Sequence, residues 1–218
     1  MLTSVETIKS QLGISDPTED AKLATWLAQA DQMIKSYLKR NIEQATYVEF
    51  YSGDGTNIIR LRQSPVQSIT SLYLDNAGFF GKAPNSFAAA SQLSEGADFV
   101  LDRDNNSATE KSTSGILWRI NGAWDRPSSR VNGTLSTIPG NAMGNVKVTY
   151  VAGYATVPAD IQAACIQAVA QFREMQVVGL SQSENYEDYS YTLADPSVQE
   201  KVMGSMKSLL KPYRKFVI

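Results

Sequence analysis

The residues best suited to chemistry are four aspartates in the middle of the chain. Asp98, Asp102, Asp104 and Asp125 each lie near turn-forming residues. A pair of carboxyl groups is enough for glycoside hydrolysis, which needs one acid, one nucleophile or base, and no histidine. Because acids beside turns are usually solvated, an enzyme is the last of the three functions that we carry forward.

Three of these positions also resemble the start of a calcium loop. Asp102, Asp104 and Asn106 have the spacing of the first three ligands of an EF-hand, but Ser107 occupies the sixth position and Thr113 the twelfth. Those two positions require a glycine and a bidentate glutamate. The pattern therefore predicts an Asx-rich turn and no metal site.

Missing residue types exclude most common catalytic and cofactor chemistry. The chain has no histidine and a single cysteine, Cys165. This excludes Ser-His-Asp and Cys-His catalysis, His-ligated metals, Cys-only zinc sites and an internal disulfide. Gly53 and Gly55 lack the third glycine and the following helix of a dinucleotide site, and no Walker A motif is present. We predict no catalytic, metal-binding or cofactor-binding residue, and a buried, apolar Cys165.

Two tryptophans flank a polar stretch and could form a stacking platform for sugars. Trp118 shares a strand face with Ile116 and Ile120, which favours a place in the core. Trp124 instead lies in a loop before Asp125, where an anchor for a protein interface is an alternative to a ligand platform. We single out Trp124 as the candidate interface anchor.

Cap signals and apolar spacing predict two helices at the start of the chain. Thr3 and Glu6 form a capping-box pattern and Gly13 can end the helix, which predicts a first helix over 4–12. Asp16 and Pro17 begin a second, longer helix. Its apolar stripe consists of Leu23, Trp26, Leu27, Ala30, Met33, Ile34, Tyr37 and Leu38.

From Thr46 onward the hydrophobic period changes to two, which is typical of strands. Two polar stretches, 78–96 and 102–114, are longer than connections in compact domains usually are, and we predict that they project as arms. The predicted strands are 46–51, 58–62, 67–74, 99–102, 115–120 and 145–152.

Two further helices follow the strands. The third begins at Pro158 and ends at Gly179, and the fourth begins at Pro196 and stops at Pro212. The predicted fold class is α+β, a helical bundle frame of about four helices with a sheet-rich antiparallel insertion between helices two and three. The predicted domains are 1–45 with 153–218, the helical frame, and 46–152, the β-rich insertion.

The composition predicts a soluble globular protein. The chain has 218 residues, of which 43% are hydrophobic, and it lacks an apolar run long enough for a membrane helix. Its formal net charge of −2 and pI near 5.3 differ from the basic footprint of a dedicated nucleic-acid binder. The N-terminus has no signal-peptide features, and the lone cysteine suits a reducing cytoplasm, so we expect neither export nor a membrane partner.

The last part of the chain carries the residues that we predict to contact partners. Tyrosines among acids favour interfaces, and the loop 181–193 has three of them. The tail from Lys211 combines bases with an apolar, β-prone end, which favours ordering on assembly. The alternative is a loop and a tail that fold back on their own helices. The candidate contact residues are Tyr186, Tyr189, Tyr191, Lys211, Tyr213, Arg214, Lys215, Phe216, Val217 and Ile218.

Opposite charges lie next to each other near the end of the chain. Residues 179–195 carry four acids and no base, whereas 196–218 carry five bases and one acid. The pattern fits a head-to-tail contact between copies. It fits equally well a solvated loop beside a helix end whose charges match the helix dipole.

Three short sequence motifs follow one another along the chain in an order that also occurs in a known protein family. The second helix ends in Tyr-Leu-Lys-Arg at 37–40, the strand at 146–154 reads Val-Lys-Val-Thr-Tyr-Val-Ala-Gly-Tyr, and Val-Pro-Ala-Asp at 157–160 begins the next helix. With the opening helix, they resemble the tailed-phage head-to-tail connector family, also called head-completion or neck adaptor proteins. The resemblance covers 1–42 and 144–178, and longer members with sheet-rich insertions look similar.

The resemblance implies a structural virion protein without catalysis, located in the neck of a tailed phage and assembled in the cytoplasm of the bacterial host. Family members form a ring, usually of twelve copies, under the portal protein and before the stopper or tail proteins. Genomic DNA passes through the ring during packaging and delivery without sequence-specific binding, and a chain of net charge −2 suits a lumen that should not bind phosphates tightly.

The resemblance also assigns a role to the candidate contact residues, which would face the portal or a neighbouring copy. An alternative from another class remains open, namely a carbohydrate-binding or baseplate module of a phage. It is favoured by the strand-rich middle of the chain and by its aromatic residues.

Overall fold

The computed structural model describes residues 1–76, 79–82, 85–126, 128–131, 134–137, 144–181 and 196–214. The chain divides into two compact units. The helical unit consists of Met1–Glu43 and Tyr154–Ile218, and the β unit consists of Gln44–Gly153. The described helices and antiparallel sheets confirm the α+β class.

Helix α1, Val5–Leu12, begins one residue later than its capping pattern predicts. Ser4, and not Thr3, is the N-cap, and its hydroxyl accepts a hydrogen bond from the Thr7 backbone N–H at 3.2 Å. Gly13 ends the helix in the left-handed region with a φ of 66°, as predicted.

Helix α2, Asp20–Leu38, follows a single 3-10 turn, Pro17–Glu19. Asp16 caps this turn by accepting a hydrogen bond from the Thr18 backbone N–H at 2.8 Å, and this bond lowers the pKa of Asp16. The predicted apolar stripe is the buried face of α2. Its buried residues are Leu23, Leu27, Ala30, Asp31, Ile34 and Leu38, while Trp26, Met33 and Tyr37 lie at its margins and are half-buried.

Helices α3, Ala159–Ser181, and α4, Pro196–Leu210, complete the helical unit, and a 3-10 turn, Lys211–Tyr213, follows α4. Cys165 on α3 is buried as predicted, and burial raises the pKa of its thiol to about 12, which leaves the thiol unreactive. No described helix has the length and apolar character needed to cross a bilayer. The buried residues that α3 and α4 contribute to the core are Ile161, Ala164, Cys165, Ala168, Val169, Val202, Met206 and Leu210.

The described strands of the β unit match all six predicted positions and add three strands that the sequence pattern missed. They are β1 Ala45–Tyr51, β2 Ile58–Arg60, β3 Val66–Leu74, β4 Gln92–Leu93, β5 Phe99–Leu101, β6 Ile116–Arg119, β7 Ser128–Val131, β8 Thr134–Thr137 and β9 Val146–Ala152. One sheet has the order β1-β9-β3-β4, a second has the order β2-β6-β5, and β7 pairs with β8. All of these pairs are antiparallel.

The two larger sheets share one apolar core. Strand β9 alternates buried and half-buried residues along its whole length, because successive side chains point to opposite faces of the sheet. Its inward residues pack with inward residues of both sheets. The buried core consists of Ile59, Leu61, Val66, Leu72, Phe99, Leu101, Leu117, Trp124, Val146, Val148, Tyr150 and Ala152.

The two long polar stretches do not project as arms in their described parts. Stretch 78–96 contributes β4 to the edge of the four-stranded sheet, where it pairs with β3. In stretch 102–114, Ser112 and Val66 exchange two backbone hydrogen bonds of 2.7 Å, and Ser112 is completely buried. Backbone groups near a sheet gain partners by pairing with it, which draws both stretches inward.

Candidate assembly surfaces

The C-terminal end of the helical unit contains part of the predicted contact surface. Tyr213 packs its ring edge-on against Tyr154, with the ring centroids 6.3 Å apart. Its hydroxyl donates a hydrogen bond to Asp160 Oδ2 at 3.1 Å. Burial and this hydrogen bond together raise the pKa of Tyr213. Tyr213 therefore contacts its own helical unit, as in the folded-back alternative.

Cations extend this aromatic cluster on two sides. The guanidinium of Arg214 lies 5.3 Å from the centre of the Tyr37 ring, and that of Arg40 lies 5.9 Å from the centre of the Tyr154 ring. Lys211 is exposed at the start of the same segment. The cluster fixes the chain up to Arg214. The other predicted contact residues, Tyr186, Tyr189, Tyr191, Lys215, Phe216, Val217 and Ile218, lie outside the described residues.

A polar network fastens the beginning of the chain to α2. Asp31 accepts a hydrogen bond from the Leu2 backbone N–H at 2.9 Å and pairs with Lys35 at 2.8 Å. Lys35 also pairs with Glu43 at 2.9 Å, and Glu43 pairs with the Met1 ammonium group at 2.7 Å. Burial opposes a charged Glu43, but the hydrogen bonds from Met1 and Lys35 outweigh it and lower the pKa of Glu43 to about 2.

One residue in the sequence, Asp31, could have indicated this network, but it lies among the apolar residues of the α2 stripe. Asp31 lies in phase with the apolar stripe, four residues after Leu27 and four before Lys35. An acid at such a position is buried beside a base, since a buried carboxylate needs a cation or hydrogen-bond donors.

Trp124, the predicted interface anchor, is instead a fully buried core residue. Its backbone N–H donates to the Thr56 carbonyl at 2.7 Å, and its own carbonyl accepts from the Gly55 N–H at 2.9 Å. The guanidinium of Arg119 lies 5.7 Å from the centre of its ring. Pairing between this loop and the turn after β1 draws the indole into the core, so Trp124 is not available to a partner.

Asn145 joins three segments of the β unit and is completely buried. Its side-chain oxygen accepts from the Gly53 N–H at 2.9 Å, and its amide group donates to the Asp125 carbonyl at 2.7 Å and to Asn76 Oδ1 at 3.2 Å. A Cβ atom on Gly53 would lie 2.1 Å from the Asp125 carbonyl oxygen. Sequence reasoning missed this junction because Gly53 and Asn145 are 92 residues apart.

A second polar junction, at Glu49, was also not predicted from the sequence. The carboxylate of Glu49 accepts hydrogen bonds from the hydroxyls of Tyr51 and Tyr150, the latter at 2.8 Å. The Tyr51 hydroxyl accepts from the Arg62 N–H at 2.8 Å, and the Tyr150 hydroxyl accepts from the Gln63 N–H at 3.0 Å. Burial, then charge and hydrogen bonding, raise the pKa of both tyrosines above their ordinary value, so both stay protonated donors.

Trp118 faces solvent, so the prediction that it belongs to the core is wrong. Leu117 points inward and is fully buried, and the alternation of β6 therefore places Trp118 on the outer face. Ile58 and Val100 lie directly opposite Trp118 on β2 and β5. The side chains of Ile58, Trp118 and Val100 are 38%, 40% and 42% exposed. We call these three residues the apolar row.

Each of the four candidate carboxylates accepts a hydrogen bond from another group of the protein. Asp104 accepts hydrogen bonds from the backbone N–H and the hydroxyl of Thr113 at 2.9 and 2.6 Å, and Asp98 accepts from the Ser94 N–H at 2.9 Å. Within the described part of the chain, no three acids or cysteines lie close enough to hold a metal ion. Side-chain donors likewise reach the other two candidates, Asp102 and Asp125.

Comparison with known proteins finds similar chains through structure alone. No protein-family model and no curated protein matches the chain. A chain in the neck of an empty gene transfer agent (GTA) particle, computed with sixfold symmetry, matches with a TM-score of 0.54 and 16% identity, over 100% of this chain and 91% of that chain. A chain in the neck of the native particle, computed with twelvefold symmetry, matches at 0.52 and 18%, over 98% and 89%.

The native GTA virion contains a third match, with a TM-score of 0.50 and 18% identity over 100% of this chain and 91% of that chain. At this level of identity the similarity establishes the fold. The similarity extends over nearly the whole of both chains, so it includes the sheet-rich residues 46–143 that the family resemblance does not cover. The chain therefore has the fold of a chain found in the neck of a phage-like particle.

Proposed function

We propose that this chain is a head-to-tail adaptor, a structural protein of the virion neck that assembles into a ring under the portal. The observation that carries the proposal is the full-length fold similarity to chains in GTA necks. A fold alone supports many functions. Here the family resemblance of 1–42 and 144–178, made independently from the sequence, indicates the same assembly.

The symmetry of the matched particles supports a ring of twelve copies. The neck of the native GTA particle was computed with twelvefold symmetry and that of the empty particle with sixfold symmetry. Twelve is divisible by six, so a ring of twelve copies is compatible with both. In our proposal each subunit contacts two neighbours through unlike surfaces, because a closed ring is built from head-to-tail interfaces.

The charge of the chain suits a channel for DNA in a virion. A net charge of −2 gives weak attraction for phosphates, whose neutralisation by bases dominates DNA affinity. We propose that DNA passes through the ring without specific contacts, and that the protein catalyses no reaction. The four candidate carboxylates support this view, since local groups engage them in structural hydrogen bonds.

We propose that the tail after Arg214 contacts the portal or a neighbouring copy. The aromatic cluster fixes the chain up to Arg214, which provides a firm base for the residues that follow. Those residues are basic and then apolar, a composition suited to docking in a groove with an acidic rim. The proposed contact residues outside the cluster are Tyr186, Tyr189, Tyr191, Lys211, Lys215, Phe216, Val217 and Ile218.

The decisive experiment mixes the purified full chain with the portal protein of the same particle. Negative-stain microscopy and light scattering should show a ring of twelve copies on the portal. A chain that stays monomeric at high concentration and fails to bind the portal would refute the adaptor function.

Two truncations separate docking from folding. Ending the chain after Arg214 should abolish portal binding and leave the urea midpoint unchanged, because the aromatic cluster remains. Ending it after Lys211 also removes Tyr213, its hydrogen bond to Asp160 and its contact with Tyr154, so stability should fall as well. Full portal binding by the chain that ends at Arg214 would rule out the tail as the docking segment.

A further inference from the structure

An open cavity of about 490 Å³ lies beside the apolar row on the β unit. Trp118 and Val100 belong to its apolar lining, and Glu95, Asp102, Arg103 and Asn106 belong to its polar lining. Binding sites for small molecules typically have volumes of about 300 to 1,000 Å³ and combine apolar surface with a few placed polar groups. The volume and the lining therefore both suit a small ligand.

Exposed apolar side chains that adjoin one another are informative, because they often mark a binding surface. Trp118 is not needed for the sheet core, which Leu117, Phe99 and Leu101 fill from the other face of the same strands. Ile58 and Val100, directly opposite Trp118, extend the flat apolar surface on both sides of the indole. The flat C–H face of a pyranose ring matches such a surface in size and polarity.

Arg103, one residue of the polar rim, is held in place before any ligand binds. Arg103 donates to the carbonyls of Glu110 and Gln67 at 2.9 and 3.3 Å, and it pairs with Glu95 at 3.1 Å. Its contact with the Gln67 carbonyl ties the rim to β3 of the neighbouring sheet. The Arg103 side chain therefore loses little conformational freedom on binding, which favours affinity.

Hydrogen-bonding capacity remains on the rim. Asp102 accepts one side-chain hydrogen bond, from Ser114 at 2.8 Å, and a carboxylate can accept several. Among the described residues, nothing bonds to the side-chain amide of Asn106, which is exposed. The carboxylate and the amide line the same cavity, and together they offer the acceptors and donors that sugar hydroxyls need.

From these observations we infer that the cavity beside Trp118 binds a neutral saccharide, with a sugar ring stacked on the indole and its hydroxyls bonded to Asp102 and Asn106. Two carboxylates and one guanidinium leave the rim with excess negative charge, which disfavours acidic sugars. Because the cavity places polar side chains beside the indole, its lining suits a molecule that combines an apolar face with hydroxyl groups.

The inference does not depend on the adaptor function, and the full chain can test it directly. The probes are three neutral trisaccharides, namely cellotriose, maltotriose and triacetylchitotriose, with trigalacturonate as the acidic counterpart. Saturation-transfer NMR detects binding at probe concentrations up to about 10 mM, where a site with a millimolar Kd is saturated. We expect transfer to at least one neutral probe and none to trigalacturonate.

Variants assign the binding to this cavity. Trp118→Ala should weaken it by about tenfold or more, and Trp118→Phe should weaken it less, because a smaller ring still stacks. Asn106→Gly should weaken binding and keep the loop conformation, because glycine adopts the φ of 52° that Asn106 has. Phe80→Ala is the matched control, because Phe80 is an aromatic residue of the same unit that is 43% exposed and lies outside the cavity lining.

Each contrary result overturns the inference. One is the absence of saturation transfer to every neutral probe by a chain that a melt shows to be folded. Another is binding that survives Trp118→Ala unchanged. A third is a Trp118→Ala chain that fails to form rings while the wild-type chain binds no saccharide, which would assign the apolar row to a protein partner.

Discussion

The core of the helical unit is formed by apolar stripes of neighbouring helices, whereas the β unit combines an apolar core with buried polar groups that bond across about 100 residues of chain. On α2 the buried residues recur every three or four positions. In the β unit, Gly53 meets Asn145 across 92 residues, and Tyr150 meets Glu49 across 101. The helical core should therefore tolerate exchanges between apolar residues of similar volume. In the β unit, adding one methyl group or removing one hydrogen-bond donor should already lower the stability strongly.

The largest expected effect is that of a single methyl group in the β unit. Gly53→Ala places a Cβ atom 2.1 Å from the Asp125 carbonyl oxygen and 2.5 Å from the Trp124 carbonyl oxygen, and both are backbone atoms that cannot turn away. We expect a loss of about 4 kcal/mol or more in the free energy of unfolding, measured by urea titration.

Gly96→Ala is the control for this prediction. Gly96 has a φ of 86°, and no atom lies within 4 Å of the position that its Cβ atom would take, so only backbone strain of about 1 to 2 kcal/mol is expected. Equal losses for the two variants would show that steric contact at Gly53 is not the cause.

The three tryptophans test burial directly. Trp124→Ala should cost about 3 to 5 kcal/mol, the usual cost of removing a buried aromatic side chain. Trp118→Ala should cost clearly less than Trp124→Ala, because Trp118 is 40% exposed and Trp124 is fully buried. Trp26 in the helical unit is half-buried, so the loss of stability in Trp26→Ala should lie between the losses of the other two variants. Thermal melts of the three variants rank their stabilities. A Trp118 variant as unstable as the Trp124 variant would contradict the assignment of Trp118 to the outer face of β6.

Substitutions that nearly keep the side-chain size test whether the β unit depends more on polar contacts than the helical unit does. Asn145→Asp keeps the shape but loses the donor to the Asp125 carbonyl, and it should cost about 3 kcal/mol. Leu27→Met in the helical unit changes shape but not polarity, and it should cost less than about 1.5 kcal/mol. Urea midpoints in which the Leu27 variant is the less stable of the two would reverse the comparison.

The smallest expected effect is the pH dependence that Glu43 contributes in the helical unit. The pKa of Glu43 is about 2 in the folded chain against an ordinary value of 4.5, so its ion pairs stabilise the fold above pH 4.5. This contribution is lost as the pH falls from 4.5 towards 2. The difference in unfolding free energy between the wild-type chain and Glu43→Gln should shrink over that range, and a constant difference would rule out the ion pairs as its source.

Local signals in the sequence were sufficient for most of the elements. The strands at 58–60 and 99–101 and the helix end at Gly13 follow from alternation and turn chemistry, which depend on neighbours in the chain. The start of α1 was misplaced by one residue, because Thr3 and Ser4 are both good caps and only the path of the chain decides between them. Strand β4 has two residues, too few for an alternating pattern to show.

The candidate sites were harder to predict, as the two tryptophans of the β unit show. Alternation correctly put Trp118 and Ile116 on one face of β6, but it cannot say which face meets the core. The loop position of Trp124 suggested exposure, yet hydrogen bonds to Gly55 and Thr56 carry it inside. In both cases the exposure of the side chain depends on a segment many residues away.

The sequence by itself therefore determined the helices, most of the strands, the α+β class and the residue types that exclude common catalysis. Hydrogen bonds within helices and turns connect residues close in the chain, so their signals are local. Only the tertiary structure decided which face of each strand is buried, where Asn145 and Glu49 find their partners, and that Trp118 borders a cavity. Those outcomes arise from the pairing of distant segments, which no local pattern of residue types encodes.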